Sequence, residues 1–204
     1  MKPTYIKKDE SEKDYWNITF DDKLEIIERT IKKKNKKILD IGCGSGCLLI
    51  SCLRELKKSI GIGLDISSDA LAVTKINVKN YKLNKRAELH KESIFNFLTL
   101  KKFDVILSNP PYLSSAEYDN LEIDVKNFEP KTALKGGHDG TSHYKKIITF
   151  ASMSLKKNGL LALELGDQQF FKIKEMLAEN SFRVLDKYRL INGEIRCILA
   201  SKIG

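Results

Sequence analysis

With 204 residues, 42% of them hydrophobic and 31% charged, the chain has the size and composition of one globular domain, which excludes disordered and fibrous classes. Its net charge of +9 comes from thirty lysines and only six arginines, without the arginine clusters and interleaved aromatic residues that nucleic-acid sites favour, so it indicates a solvated surface more than an RNA or DNA partner. The sequence contains no bilayer-length apolar run and no apolar signal-peptide core, so we expect a cytoplasmic protein without membrane contact.

From residue 37 onward, short apolar runs alternate with helical patterns, which is typical of an α/β fold. We predict a single doubly wound, mostly parallel seven-stranded sheet of the Rossmann-like kind. The predicted strands are Lys37–Ile41, Ile60–Ile66, Ala87–His90, Phe103–Ser108, Gly159–Leu165, Phe182–Asp186 and Ile195–Ser201. The predicted helices are Leu48–Lys57, one capped by Ser67 or Ser68 that ends near Tyr81, His143–Leu155 and Gln168–Glu179.

Three further features complete the predicted organisation. The polar turn Asn192-Gly193 indicates that the last two strands form an antiparallel pair. A loop of about thirty residues, 109–140, is long enough to indicate a functional role. We assign residues 37–204 to one catalytic domain and predict that the polar, helix-prone residues 1–36 cover its site.

The cysteines and histidines do not form a metal-binding pattern. The sequence has no C-x-x-C pair, and the three histidines complete no zinc signature with the four cysteines. We interpret the cysteines as small hydrophobic residues and predict no metal ion.

Three glycines follow the first predicted strand directly. Gly42, Gly44 and Gly46 allow a sharp backbone turn and a close approach to a ligand, at the end of the sheet where α/β folds bind ligands. A dinucleotide fingerprint needs a third glycine where this chain has Cys47. The observed G-x-G-x-G, preceded by Asp40, favours a nucleoside with an amino-acid tail.

Asp65 ends the second predicted strand. A carboxylate at this place can accept hydrogen bonds from both hydroxyls of a ribose. The alternative is a simple helix cap, although Ser67 already serves that purpose. Together, the glycine loop and Asp65 predict an adenosyl cofactor, S-adenosylmethionine.

An N-P-P-Y motif follows the fourth predicted strand, and two prolines alone often do no more than end a strand. Here a carboxamide at the carboxyl end of a central strand points into the ligand crevice, and the prolines remove two N–H donors beside it. Tyr112 adds a flat apolar face for a planar group. We predict that the four residues form the catalytic and substrate-binding motif: Asn109, Pro110, Pro111 and Tyr112.

Methyl transfer from a sulfonium explains why such a motif suffices. The leaving group is already activated, so the reaction mainly needs a nitrogen held at attack distance. An amide or aryl-amine NH₂ is a poor nucleophile, but the Asn109 Oδ1 and the Pro110 carbonyl can accept its two hydrogens and oppose the charge that develops on nitrogen. No strong general base is required, and none is evident in the sequence.

The residues after this motif resemble one family of methyltransferases. The run Phe128 to Gly140 resembles the F-E-P-x-x-A-L and G-G-x-D-G elements of the peptide-chain release factor glutamine methyltransferases (the PrmC/HemK family). Residues 159–166 and 193–196 resemble that family's G-x-L-x-x-E-x-G and G-x-x-R elements. The resemblance covers about residues 38 to 200, so we expect the chain to lack the family's N-terminal helical domain.

The resemblance implies a substrate and a set of contacts. The substrate would be the glutamine of the Gly-Gly-Gln tip of release factors, methylated on its side-chain amide nitrogen and cradled by residues 109–112. Ile94 would contact adenine, Asp65 the ribose, and Asn109 both cofactor and substrate; Ser93 stands where the family often has an aspartate. The loop residues around the methionine part would be Gly42, Cys43, Gly44, Ser45 and Gly46.

Two other functions remain open at this point. N-P-P-Y also occurs in N6-adenine and N2-guanine methyltransferases that act on DNA or RNA, and the basic charge is compatible with them. A scaffold that binds the cofactor without activity is the third hypothesis, against which the intact Asn109 and glycine loop argue.

Overall fold

The computed structural model describes residues 35–121, 131–190 and 192–203, and seven strands and six helices lie within these ranges. The strands are β1 Lys37–Ile41, β2 Ile60–Asp65, β3 Ala87–Lys91, β4 Phe103–Ser108, β5 Leu155–Glu164, β6 Phe182–Arg189 and β7 Ile195–Lys202. The helices are α1 Cys47–Glu55, α2 Ser68–Asn80, α3 Ser115–Asp119, α4 Lys131–Leu134, α5 Ser142–Ser154 and α6 Phe170–Glu179.

All seven strands form one sheet in the order β3-β2-β1-β4-β5-β7-β6. The first five in this order pair in parallel, whereas β7 runs antiparallel to both β5 and β6. The predicted fold class is therefore confirmed. The strand order reverses between β1 and β4, which places the carboxyl ends of these two strands side by side, and open α/β sheets bind ligands at such a point.

Helices cover both faces of the sheet. Leu39 of β1 packs in a core cluster with the buried residues of α5 and α6, while its neighbour Ile38 packs on the opposite face with α1. Because β1 is buried on both faces, residues 38–41 are all buried, including the polar Asp40, and do not alternate between buried and exposed.

The described parts of the long segment after β4 contain regular structure where a loop was predicted. They contain α3 and α4, and α3 begins with a capping box in which Ser114 and Glu117 bond each other's main chain. Leu113 forms a parallel bridge with Lys135, so the two ends of the segment lie side by side. Such short helices lack the periodic apolar pattern that sequence analysis relies on.

Two predicted strand boundaries differ from the structure by three or more residues, and the other strand boundaries differ by at most one. Strand β5 begins at Leu155 instead of Gly159, because Leu155 pairs with Phe103 across a register shift. The added residues 156–158 are exposed and polar, so no strand pattern marks them. Strand β6 extends to Arg189 because it follows β7 along the edge of the sheet, where its exposed residues need no apolar partners.

Two predictions fall outside the described residues. They are the cover formed by residues 1–36, of which only the last two are described, and the Phe128–Pro130 part of the family resemblance. The division into a cover and a catalytic domain therefore stays a prediction. In the described part of the chain, no helix combines the length and apolar character needed to cross a bilayer. The same part holds no group of three or more metal-binding side chains.

Candidate active site

The glycine loop turns back over the end of β2. Gly42, Gly44 and Gly46 have φ values of 69°, 54° and 81°, which strain any residue with a Cβ. The Gly42 and Cys43 N–H groups both donate to the Leu64 carbonyl, at 2.7 and 3.0 Å. The loop is therefore held against β2 by its own main chain.

Two side chains of α2 hold the loop from the other side. The buried Thr74 hydroxyl donates to the Gly44 carbonyl at 2.5 Å, and the Asn77 amide donates to the Ser45 carbonyl at 2.9 Å. Sequence analysis did not identify either residue. The only available signal was two polar side chains three positions apart, which is an ordinary feature of a helix surface.

Asp65 links the loop to the start of α2. Its Oδ2 accepts from the Gly44 N–H at 2.8 Å, and its Oδ1 accepts from the Ser67 N–H at 2.9 Å. Each carboxylate oxygen can accept a second hydrogen bond. The cap of α2 itself is the Ser67 hydroxyl, which accepts from the Ala70 N–H at 3.2 Å. The N-cap of α2 is therefore Ser67, and Asp65 is not the helix cap that the alternative proposed.

A cavity of about 390 Å³ opens beside the loop and Asp65. Its wall includes the carboxyl ends of β1, β2 and β4, the start of α2 and the segment after β3. Most of the predicted site residues line it: Gly42, Gly44, Ser45, Asp65, Ile94, Asn109, Pro110 and Pro111. Cys43, Gly46 and Tyr112 are not among the lining residues: Cys43 is buried, Gly46 precedes α1, and Tyr112 packs against the core.

Asn109 is held next to the glycine loop by its neighbour in the chain. The Ser108 hydroxyl donates to the Ile41 carbonyl at 2.8 Å and so ties the end of β4 to the end of β1. Pro110 is buried, whereas Asn109 is exposed at the cavity wall. Among the described residues, none forms a hydrogen bond with the Asn109 carboxamide, so it is available to a ligand.

The glycine-rich segment before α5 packs on the main chain of the N-P-P-Y motif. The Leu113 N–H donates to the Leu134 carbonyl, and the Gly136 N–H donates back to the Leu113 carbonyl. A Cβ on Gly136 would lie 2.6 Å from the Pro111 oxygen, and one on Gly140 would lie 2.2 Å from the Tyr112 oxygen. Only glycine allows this close approach. The glycine-rich segment therefore stabilises the main-chain conformation of the N-P-P-Y motif.

His143 enters the cavity wall from the first turn of α5. Its ring meets the Phe95 ring edge-on at 5.3 Å, and its Nδ1 is buried with no hydrogen-bond partner among the described residues. Burial lowers the pKa of His143, which keeps the ring neutral at pH 7. Sequence analysis missed this residue, because a histidine far along the chain carries no local sign of its position.

Asp40 lies fully buried beneath the glycine loop. Its Oδ2 accepts from the Leu49 N–H at 3.0 Å, whereas Oδ1 has no hydrogen-bond partner in the described part of the chain. Burial raises the pKa of Asp40 to about 7, the Leu49 N–H opposes the rise, and the charge of Asp65 adds to it. The carboxyl group is therefore poised between its two protonation states near neutral pH.

This pKa predicts a stability difference that depends on pH. The folded protein holds the Asp40 proton up to about pH 7, but the unfolded chain releases it near 3.8, so folding becomes less favourable as pH rises between these values. Relative to an Asp40→Asn variant, the wild type should lose about 1.4 kcal/mol of unfolding free energy per pH unit from pH 5 to 6.5. The difference should level off above about pH 8.

Urea unfolding of both proteins at several pH values measures this difference. Groups that titrate alike in both proteins cancel, so only the slope of the difference matters. A difference that stays constant from pH 5 to pH 8 would contradict the raised pKa of Asp40.

Comparison with known families identifies the fold. Residues 18–125, a little over half of the chain, match the model of the methyltransferase small domain. The chain belongs to this family. In the match, the methyltransferase small domain includes the glycine loop, Asp65, the N-P-P-Y motif and α3.

Individual methyltransferases are also similar. The release factor glutamine methyltransferase of Fusobacterium nucleatum is 38% identical over 179 residues, which cover 86% of this chain and 49% of that relative. A bifunctional methyltransferase of Rickettsia felis is 37% identical over 168 residues, which cover 82% of this chain and 32% of that relative. The chain thus spans about a third to a half of the length of these relatives.

Solved structures support the same fold. The magnesium protoporphyrin IX methyltransferase of Synechocystis, crystallised with bound SAM, superposes with a TM-score of 0.67 over 97% of this chain and 86% of its own. Its sequence is only 12% identical, so the likeness concerns the fold alone. The chain therefore has the methyltransferase fold of these structures, with the mostly parallel seven-stranded sheet that its sequence predicts.

Proposed function

We propose that this chain transfers a methyl group from S-adenosylmethionine to the side-chain amide nitrogen N5 of the glutamine in the Gly-Gly-Gln motif of peptide-chain release factors. The observation that carries the proposal is the Asn109 carboxamide, which lies exposed in the cavity wall next to the glycine loop and forms no hydrogen bond with any described residue. The similarity to relatives named release factor glutamine methyltransferase supports the choice of substrate.

The cavity residues fit S-adenosylmethionine. Asp65 has one lone pair left on each oxygen, which suits the two hydroxyls of a ribose. Ile66 and Ile94 add apolar walls that suit adenine, and a volume of about 390 Å³ is ordinary for a small-molecule site. The cofactor supplies a methyl group that its sulfonium sulfur already activates.

The N-P-P-Y motif suits a planar NH₂ group. The Asn109 Oδ1 and the Pro110 carbonyl are two acceptors next to each other in the chain, and they can take the two hydrogens of an amide nitrogen. Their dipoles oppose the positive charge that grows on nitrogen as the methyl group is transferred. The same contacts position the nitrogen, and the proton leaves to water after transfer.

Mass spectrometry of the tip peptide tests the proposal. The wild-type chain, S-adenosylmethionine and a bacterial release factor should yield a tip peptide that carries one methyl group on its glutamine. A release factor with alanine in place of this glutamine, and the Asn109→Ala chain, should yield none.

The test includes the alternative substrates. Label transferred to bulk RNA or DNA with none on the release factor would favour an N6-adenine or N2-guanine methyltransferase. Cofactor binding by calorimetry without transfer to any of them would favour a scaffold. Either result would overturn the proposed function.

A further inference from the structure

Tyr112 is held at both ends by residues from the last third of the chain. The Arg196 Nη2 donates to the Tyr112 hydroxyl at 2.5 Å, and the guanidinium carbon lies 4.8 Å from the centre of the tyrosine ring. The Gln169 amide donates to the Tyr112 main-chain carbonyl at 2.9 Å. The ring and the backbone of this residue are therefore fixed separately.

Arg196 is in turn fixed by Glu164. The Arg196 Nη2 lies 3.4 Å from the Glu164 Oε1, and the side chains of Arg196 and Glu164 are only 20% and 9% exposed. The two residues reach each other because β5 and β7 pair, with Glu164 opposite Cys197. The Leu165 N–H also donates to the Arg196 carbonyl at 2.9 Å, so the sheet itself sets their register.

Gly166 closes the other side of the tyrosine. A Cβ on Gly166 would lie 2.7 Å from the Tyr112 Cδ2, so the ring packs directly on this glycine. The Gly166 N–H bonds the Gln169 Oε1, and the Tyr144 hydroxyl donates to the Glu164 carbonyl. The conformations of Glu164 and Gln169 are thereby fixed as well, and little freedom remains for the ring.

A part-buried ion pair contributes little net stability, because the cost of removing both charges from water offsets their attraction. An apolar residue in place of Arg196 could fill the same space. What a guanidinium adds is a planar group that stacks on a ring and bonds its hydroxyl at the same time. These two contacts define the orientation of Tyr112 more tightly than packing alone.

We propose that Arg196, backed by Glu164, is a positioning residue that fixes Tyr112 and, through it, the Pro110–Pro111 segment and the Asn109 carboxamide. The inference rests on the proposed methyl transfer at Asn109. Asn109 is three residues from Tyr112 along a chain stiffened by two prolines, so a change in ring packing that shifts the Tyr112 main chain also shifts the carboxamide. A displacement of about 1 Å at a reacting group costs on the order of 10²-fold in rate.

The kinetic test compares Arg196→Met with a matched control, Arg189→Met. Arg189 lies on the neighbouring strand β6, is exposed, and its side chain donates to the Gly193 carbonyl at 2.9 Å. We expect Arg196→Met to lower kcat about 10- to 100-fold while the cofactor Kd, measured by calorimetry, stays within about twofold. The glycine loop is held by β2, Asp65 and two side chains of α2, so a general loss of structure would weaken cofactor binding as well and would not produce this split. Arg189→Met should leave both values unchanged.

A second set of variants keeps the inference testable if Arg196→Met fails to fold, and it measures the coupling between Arg196 and Tyr112. Glu164→Gln keeps the shape of the ion pair and should lower kcat in the same direction. The effects of Arg196→Met and Tyr112→Phe should fall well short of adding in the double variant, because both remove the same contact. Additive effects, or a kcat within about twofold of wild type in a folded Arg196→Met protein, would overturn the inference.

A readout without substrate separates this inference from the proposed function. In protein labelled with 3-fluorotyrosine, the ¹⁹F signal of Tyr112, assigned with Tyr112→Phe, should move and narrow in Arg196→Met because the ring gains freedom. An unchanged signal would overturn the positioning role even in an inactive chain. If the wild type methylates RNA and not release factors, the proposed function fails while the kinetic comparison proceeds with RNA.

Discussion

Replacing Asn109 with alanine should remove nearly all methyl transfer, lowering kcat on the order of 10²- to 10³-fold. The carboxamide lies exposed in the cavity wall and forms no hydrogen bond with any described residue, so the fold does not depend on it. Its contribution is to hold and polarise the NH₂ group during transfer. We therefore expect the cofactor Kd to change by less than about fivefold, roughly the value of one neutral hydrogen bond. Initial rates with saturating cofactor measure the first effect, and calorimetry measures the second.

Asn84→Ala is the matched control for this prediction. Asn84 is also exposed, and it precedes β3. It therefore lies at the amino end of this strand, whereas the cavity lies at the carboxyl ends of the strands. Its removal should leave kcat unchanged. Asn109→Ala with the turnover of the wild type would mean that the N-P-P-Y motif is not the reacting site.

Replacing Asp65 with alanine should weaken cofactor binding about 100-fold or more. The carboxylate accepts from the Gly44 and Ser67 N–H groups at 2.8 and 2.9 Å, and it is the group proposed to accept from the ribose. Hydrogen bonds to a charged acceptor contribute roughly 1.5–3 kcal/mol each, so the loss of two or more of them accounts for this change. The chemical step does not involve Asp65, so kcat at saturating cofactor should stay within about tenfold of wild type.

Asp186→Ala is the control for Asp65, and calorimetry with S-adenosylmethionine is the measurement. Asp186 is exposed on the edge strand β6, and its carboxylate bonds the main chain of its own neighbour, Lys187. Loss of affinity in the Asp65 variant alone is the expected result. Equal cofactor affinities in Asp65→Ala and wild type would contradict the proposal that Asp65 binds the ribose.

Local sequence patterns predicted the sheet well, for a physical reason. Strands such as β1 and β4 are buried on both faces, so they appear as mostly apolar segments, each with one aspartate, bounded by glycine, proline or polar residues. The glycine loop and Asp65 were predictable because they follow such strands directly. The start of β5 was not, because residues 156–158 are polar and exposed and lie at a register shift between β4 and β5.

The supporting contacts of the site were beyond sequence reasoning. Arg196 lies 84 residues from Tyr112, and Gln169 lies 57 residues from it, so no local period relates them. The G-x-x-R and G-x-L-x-x-E-x-G elements were recognised only by resemblance. The structure gives these motifs a common physical purpose, because Glu164, Gly166 and Arg196 all converge on Tyr112.

The position of β7 has a consequence for synthesis on the ribosome. Strand β7 is made after β5 and β6, yet it lies between them in the sheet, and among the described strands β6 has no other neighbour. Until residues 195–202 emerge from the exit tunnel, β5 presents a bare edge and β6 has nothing to pair with. Unpaired edges are where nascent chains associate wrongly, so β5 and β6 are exposed to that risk until β7 has been made.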